Sequence, residues 1–204
     1  VGNVVLSANT GGTVTAANAF EYVGPGTIDS ISPTSGQRGA IITVRGTELL
    51  AGADSLTSAR LGTVPVTSIR SANSTTVLVE AGESFQTLGL DVVLESANGA
   101  SVVGPSLWRY TAPGIITNVD PLTGHEGTLV TVSGANLRLG SPGVTAATLA
   151  GVRAGSVVSQ SNTQVVVRAG PSATAAAPAP VFVIAASGAF VNSSAAWSYL
   201  PQAV

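Results

Sequence analysis

The sequence carries one histidine, ten acidic residues and eight basic residues, all of them arginine, with no cysteine and no lysine. His125 lies in the turn Pro121-Leu122-Thr123-Gly124-His125-Glu126-Gly127. A general base needs a nucleophile and an orienting group within hydrogen-bond reach, and no Gly-x-Ser-x-Gly elbow supplies the first. His125 therefore reads as an exposed turn residue. Three acid pairs, Glu80 with Glu83, Asp91 with Glu95 and Asp120 with Glu126, have the residue types that glycoside hydrolysis or calcium binding uses. Calcium wants about 6–8 converging oxygens, and the pairs read better as solvated edges. A phosphate-binding loop needs a lysine after its glycines, and thiolate metal sites need cysteine. The reading is of a non-enzymatic chain with no catalytic residue, no cofactor and no metal site.

Two further residue types merit a place. Trp108 and Trp197 each precede a tyrosine by two positions, and aromatic faces suit sugar contact. Phe20-Glu21-Tyr22 keeps an aromatic at both places, however, which points to packing. Asn73-Ser74-Thr75 and Asn192-Ser193-Ser194 are acceptor sequons, making Asn73 and Asn192 candidate glycosylation sites in a secreted protein.

The elements that would position these residues are repeated. Ile28 to Pro33 and Ile116 to Pro121 align at an offset of 88, and the register holds through Gly39 and Gly127, Gly46 and Gly134, Leu61 and Leu149, and Val79 and Val167. Past Gly170 the offset becomes 89, which brings Trp108 and Tyr110 onto Trp197 and Tyr199. At this offset Asp91 and Glu95 match Pro180 and Ile184, so the array does not reuse that acid pair. The first 25 residues fit the end of the same pattern, with Val4, Leu6, Val14 and Phe20 falling on Val92, Leu94, Val102 and Trp108. The division is 1–25 as the C-terminal hairpin of a truncated preceding repeat, then sandwiches at 26–113 and 114–204.

Short β-branched runs such as Ile41-Ile42-Thr43-Val44 and Val181-Phe182-Val183-Ile184, bounded by Gly, Pro, Asn or Ser, predict strands throughout. Asn98-Gly99, Thr10-Gly11-Gly12 and Ser187-Gly188 predict a hairpin turn at the end of each repeat, with positive φ supplied by the pair. Pro171, Pro178 and Pro180 deny the alanine-rich stretch from Ala173 to Ala179 a helix, and it reads as loop. Seven or so short strands in just under 90 residues predict an all-β chain of tandem immunoglobulin-like sandwiches in an elongated array.

The run Ile-x-x-Ile-x-Pro-x-x-Gly from Ile28 to Gly36, then Gly39, Ile42-Thr43-Val44 and Gly46-Thr47-Glu48-Leu49, resembles the opening of an IPT/TIG domain. Ile116 to Leu137 matches it again, and Leu61-Gly62, the strand from Ser74 and the closing Trp108-x-Tyr110 follow in the family's order. The second copy has Ala150 where glycine is expected. The resemblance implies immunoglobulin-like sandwiches of a kind found in cell-surface receptors, certain transcription factors and tandem arrays of microbial surface proteins.

Composition narrows those settings. Only 9% of residues are charged and the net charge is −2, against about 25% charged in ordinary soluble chains. No basic field exists to hold nucleic acid, and no apolar run reaches membrane-spanning length, so neither nucleic acid nor membrane insertion of this segment is expected. A hairpin standing alone leaves Val4, Leu6, Val14 and Phe20 without a cover. They are expected to form an assembly hairpin, completed by the same polypeptide or by a neighbouring chain through strand complementation. The expected function is a structural repeat segment of an extracellular or cell-surface filament that self-associates into a fibre. The alternative is an adhesin or receptor-stalk module whose loops bind a glycan or protein ligand. A glycan-processing enzyme carrying these domains as accessories would place its catalysis outside this sequence.

Overall fold

The computed structural model describes residues 1–85, 88–172 and 177–201, and among them every regular element is a strand. Strands β1 (Gly2–Ser7) and β2 (Thr13–Phe20) pair antiparallel as a two-stranded sheet of their own. The first repeat follows with β3 (Thr27–Ser32), β4 (Ser35–Gly36), β5 (Ile41–Thr47), β6 (Leu56–Leu61), β7 (Val64–Pro65), β8 (Ser68–Ala72), β9 (Thr76–Glu80), β10 (Leu90–Ser96) and β11 (Ser101–Tyr110). The second runs β12 (Ile115–Asp120), β13 (Thr123–Gly124), β14 (Leu129–Ala135), β15 (Val144–Leu149), β16 (Val152–Arg153), β17 (Ser156–Gln160), β18 (Gln164–Arg168), β19 (Ala179–Ala185) and β20 (Phe190–Tyr199).

Each repeat places a four-stranded sheet, β3-β5-β9-β8 or β12-β14-β18-β17, beside a five-stranded one, β4-β11-β10-β6-β7 or β13-β20-β19-β15-β16. The chain is thus a tandem of immunoglobulin-like sandwiches. Nine strands per repeat, rather than about seven, arise because two of them are only two residues long and have no periodicity to read. Pro33 lacks the N–H that a ladder would use, so β3 ends at Ser32 and the chain crosses to the other sheet. There β4 pairs parallel with β11, Ser35 opposite Arg109. Pro121 separates β12 from β13 in the same way.

Alternation along the strands fills the space between sheets. Ile42, Val44, Val77, Val79, Leu94 and Trp108 are fully buried in the first repeat, and Val130, Val132, Val165, Val167 and Trp197 in the second. Trp108 meets Tyr110 edge-on at 5.5 Å, and Trp197 meets Tyr199 at 5.7 Å. Gly36 is required beneath the first indole, because a β-carbon there would lie 3.0 Å from Trp108 Cη2. Both tryptophans are core residues with no face left for a ligand.

All three hairpins form as the repeat predicts, but in the turn only the glycine takes positive φ: Gly11 at 84°, Gly99 at 85° and Gly188 at 88°. Asn98 instead works through its side chain, donating to the Ala51 carbonyl at 2.9 Å and accepting from the Ala100 amide at 3.0 Å. The turn is closed by a Gly99 amide bond to the Ser96 carbonyl, leaving one left-handed residue rather than two. Residues 173–176 of the expected alanine-rich loop lie outside the described residues, and Ala179 already belongs to β19.

Candidate functional site at the repeat junctions

The sequence-predicted chemistry does not converge. His125 is exposed, its backbone amide bonded to Thr128 Oγ1 at 3.0 Å. Glu80 pairs with Arg70 at 2.8 Å, while Glu83 pairs with Arg38 at 3.2 Å, so the two carboxylates serve different arginines. Asp91 accepts the Ser106 amide at 2.8 Å, and Glu95 accepts Ser58 Oγ at 2.5 Å and faces Arg60 at 3.7 Å. Asp120 and Glu126 are exposed. Among the described residues no group of three metal-ligating side chains gathers.

What the fold does bring together is the contact between consecutive units. Arg38 projects from the β4–β5 loop of the first repeat onto the hairpin of the second. Its guanidinium lies over the Phe190 ring, 4.5 Å from the centroid, and Nη2 donates to Asn192 Oδ1 at 3.0 Å. Glu83 holds the same group from behind. Two backbone bonds flank it, from the Ile41 amide to the Ser187 carbonyl at 2.8 Å and from the Phe190 amide to the Arg38 carbonyl at 3.2 Å. Gly39, at φ +85°, lets the loop approach this closely, since a β-carbon would sit 2.6 Å from Phe190 Cδ1. Gln37, only 3% exposed, donates to the carbonyls of Ser84 and Thr111 at 2.8 Å each and so ties the linker to the loop.

Part of this junction occurs twice. A β-carbon on Gly140 would meet Thr111 at 2.5 Å, and one on Gly52 would meet Val23 at 2.8 Å. Gly114 packs on Asn136 and Val191, as Gly26 packs on Glu48 and Val102. The N-terminal hairpin therefore joins the first repeat through the same positions by which the first repeat joins the second. On the hairpin itself, Val4, Leu6, Val14, Phe20 and Tyr22 are 38%, 68%, 70%, 51% and 84% exposed. Their counterparts Val92, Leu94, Val102, Trp108 and Tyr110 are at most 2% exposed. In the complete repeat β10 also pairs with β6, and β11 with β4. The corresponding edges of β1 and β2 pair with nothing else among the described residues.

Asn73 sits in the β8–β9 turn, where its Oδ1 accepts from the Thr75 and Thr76 amides at 2.9 and 2.7 Å. Asn192 lies on β20 within the junction. Both are exposed. Sequence reasoning missed Arg38, Phe182 and Phe190. The signal was present: at the offset of 89, Phe182 replaces Val93 and Phe190 replaces Ser101.

No curated protein matches the chain. Among solved structures, it superposes on the full extracellular region of plexin A4 with a TM-score of 0.57 at 19% identity, covering 91% of this chain and 16% of that one. A second plexin A4 extracellular structure gives 0.52 at 20% identity, covering 90% of this chain and 19% of that one. A Bacteroides ovatus SGBP-B from a mixed-linkage glucan utilization locus, in complex with a mixed-linkage heptasaccharide, gives 0.35 at 13% identity, with 98% and 52% covered. The chain thus spans under a fifth of either plexin chain's length. The IPT/TIG domain pattern matches residues 27–110 and again residues 115–199, most of the sequence in two consecutive copies. The chain belongs to the IPT/TIG domain family.

Proposed function

We propose that this chain is a non-enzymatic structural segment of an extracellular or cell-surface filament, built from stacked IPT/TIG sandwiches and extended through its N-terminal hairpin. The observation that carries the reading is the repeated junction, since the linker contacts at Gly26 and Gly52 recur at Gly114 and Gly140. A junction that recurs with the same close contacts passes one fixed orientation along an array. The hairpin supplies the second support. Burying a large apolar side chain contributes about 1.5–3 kcal/mol, so the face formed by Val4, Leu6, Val14 and Phe20 favours a covering layer. The occupant that fits is a strand with the register that β6 holds on β10, contributed by the same polypeptide or by a neighbouring chain through strand complementation. The division into a hairpin at 1–25 and sandwiches at 26–113 and 114–204 belongs to this proposal. So does the extracellular setting, in which Asn73, exposed in the β8–β9 turn, would be a glycan acceptor detectable by intact mass.

Light scattering after size exclusion tests the proposal on residues 1–204 and on a chain beginning at Thr27. Mass growing with concentration only in the longer chain supports it. Two equally monomeric species overturn assembly through the hairpin.

A further inference from the structure

The outer face of an antiparallel sandwich sheet normally carries polar side chains, and the first repeat departs from this at the cross-strand pair Val93–Val103. On its five-stranded sheet the outward positions include Ser58, Arg60 and Glu95, joined by a hydrogen bond and an ion pair. The second repeat departs further, with Phe182 where the first has Val93, Ile184 where it has Glu95 and Phe190 where it has Ser101. Cross-strand partners share a face, so the pairs Phe182–Asn192 and Ile184–Phe190 form one outward patch on β19 and β20. Ala146 and Thr148 replace Ser58 and Arg60. The fold does not need the two rings, because the first repeat is built with Val93 and Ser101 at those places.

The patch has three chemical properties together. Phe182 and Phe190 present two rings with centroids 6.0 Å apart, tilted by 48°. They line an open apolar cleft of about 190 Å³ with Ile184 and Gly188. Phe190 also lines a second cleft of about 190 Å³, whose wall carries Arg38, Glu83 and Asn192. Arg38 supplies donors, Glu83 an acceptor and Asn192 both. The guanidinium and the carboxylate lie 3.2 Å apart, so the polar wall carries no net charge.

We propose that this double cleft is a binding site for a neutral oligosaccharide, one sugar resting an apolar C–H face on Phe182 and Phe190 while its neighbour's hydroxyls bond Glu83 and Asn192. Neutrality of the wall selects against phosphate and uronate ligands, since Glu83 offsets the Arg38 charge that would attract them. The aromatic half fits the faces of a sugar ring, and the mixed donor and acceptor half fits its rim. The site needs both repeats, because Arg38 and Glu83 come from the first and the rings from the second. The proposal goes beyond the filament reading and does not depend on it.

The test uses an array of neutral and uronate-containing oligosaccharides probed with residues 1–204, followed by titration of the best neutral binder into the chain beginning at Thr27, which holds both complete sandwiches. Binding to neutral members is expected, weakened at least about tenfold, roughly 1.4 kcal/mol, by Phe182→Ala and by Asn192→Ala. Phe182→Tyr, which keeps a ring, should restore it, and this separates ring contact from misfolding. Failure of every neutral member to bind at millimolar concentration overturns the proposal. So does binding that Phe182→Ala leaves unchanged, or a loss of self-association rather than of glycan binding in that variant, which would make the patch a lateral contact between copies. Because the shorter chain lacks the hairpin, failure here leaves the filament proposal standing.

Discussion

Substituting Arg38 by alanine should loosen the joint between the two repeats while leaving each sandwich folded. Two interactions cross the junction from this side chain: the cation–π contact with Phe190 and the hydrogen bond to Asn192. The first contributes about 0.5–1 kcal/mol at a partly exposed site, the second about 0.5–1.5 kcal/mol. The ion pair to Glu83 lies within the first repeat, is partly exposed on both sides, and adds about 0.2–1 kcal/mol to that repeat alone. The coupling lost across the junction is therefore about 1–2.5 kcal/mol. A double-mutant cycle of Arg38→Ala and Phe190→Ala, followed by urea unfolding, should return an interaction energy of about 0.5–1 kcal/mol, because only the ring contact is shared. Distances between spin labels on the two repeats should broaden in Arg38→Ala. An interaction energy indistinguishable from zero, together with an unchanged distance distribution, would refute the clamp.

Other consequences follow from single positions. Gly39→Ala adds a β-carbon at φ +85° and 2.6 Å from Phe190, so it should cost at least about 1 kcal/mol and broaden the same label distances; a silent result contradicts the close approach. Ala150 takes φ 51° where Gly62 takes φ 64° in the first repeat, so Ala150→Gly should stabilise the second repeat by about 0.5–1 kcal/mol in chemical denaturation. Burial pushes the Tyr110 phenol up from the usual 10.0 to about 12. The folded state then holds a proton that the unfolded chain has released, so stability falls as pH rises through 10 toward 12. By pH 11 the loss is about 1.4 kcal/mol. Burial also raises the Tyr199 phenol, with the nearby Glu126 charge acting in the same sense and a backbone bond at Gly170 opposing it. The Tyr110 hydroxyl has no protein partner among the described residues, so Tyr110→Phe should leave neutral-pH stability nearly unchanged while flattening the alkaline decline of the first repeat; an unflattened decline would assign it to other groups.

The fold was legible because its determinants repeat. Gly46 and Gly134 and Val79 and Val167 recur at an offset of 88, and Trp108 and Trp197 at 89, and that repetition places inward residues and turns before any contact is known. The short strands β4 and β7 were not legible, since two residues carry no alternation and their pairing depends on where the chain crosses between sheets. The left-handed Ala150 was flagged only as a missing glycine, and its φ required coordinates. The junction was hidden for a different reason. Arg38 and Phe190 lie far apart in sequence and in different repeats, and neither has a matching partner at the offset: Glu126 stands where Arg38 would recur, and Ser101 where Phe190 would. Self-comparison reveals what repeats share, whereas the junction cleft is made from residues that differ. The acid pairs, read as solvated edges, gave no hint of their partners, since Glu80 pairs with Arg70 and Glu83 with Arg38 across the junction loop.

The central claim is that the hairpin formed by β1 and β2 is an assembly element of a stacked IPT/TIG array. Negative-stain electron microscopy of residues 1–204, beside the chain beginning at Thr27 and a Leu6→Asp, Val14→Asp variant of the full length, tests it most directly. Regular filaments from the unaltered chain, with only short particles from the other two, are the predicted result. Filaments that persist without the hairpin, or isolated two-domain particles from all three, would contradict it.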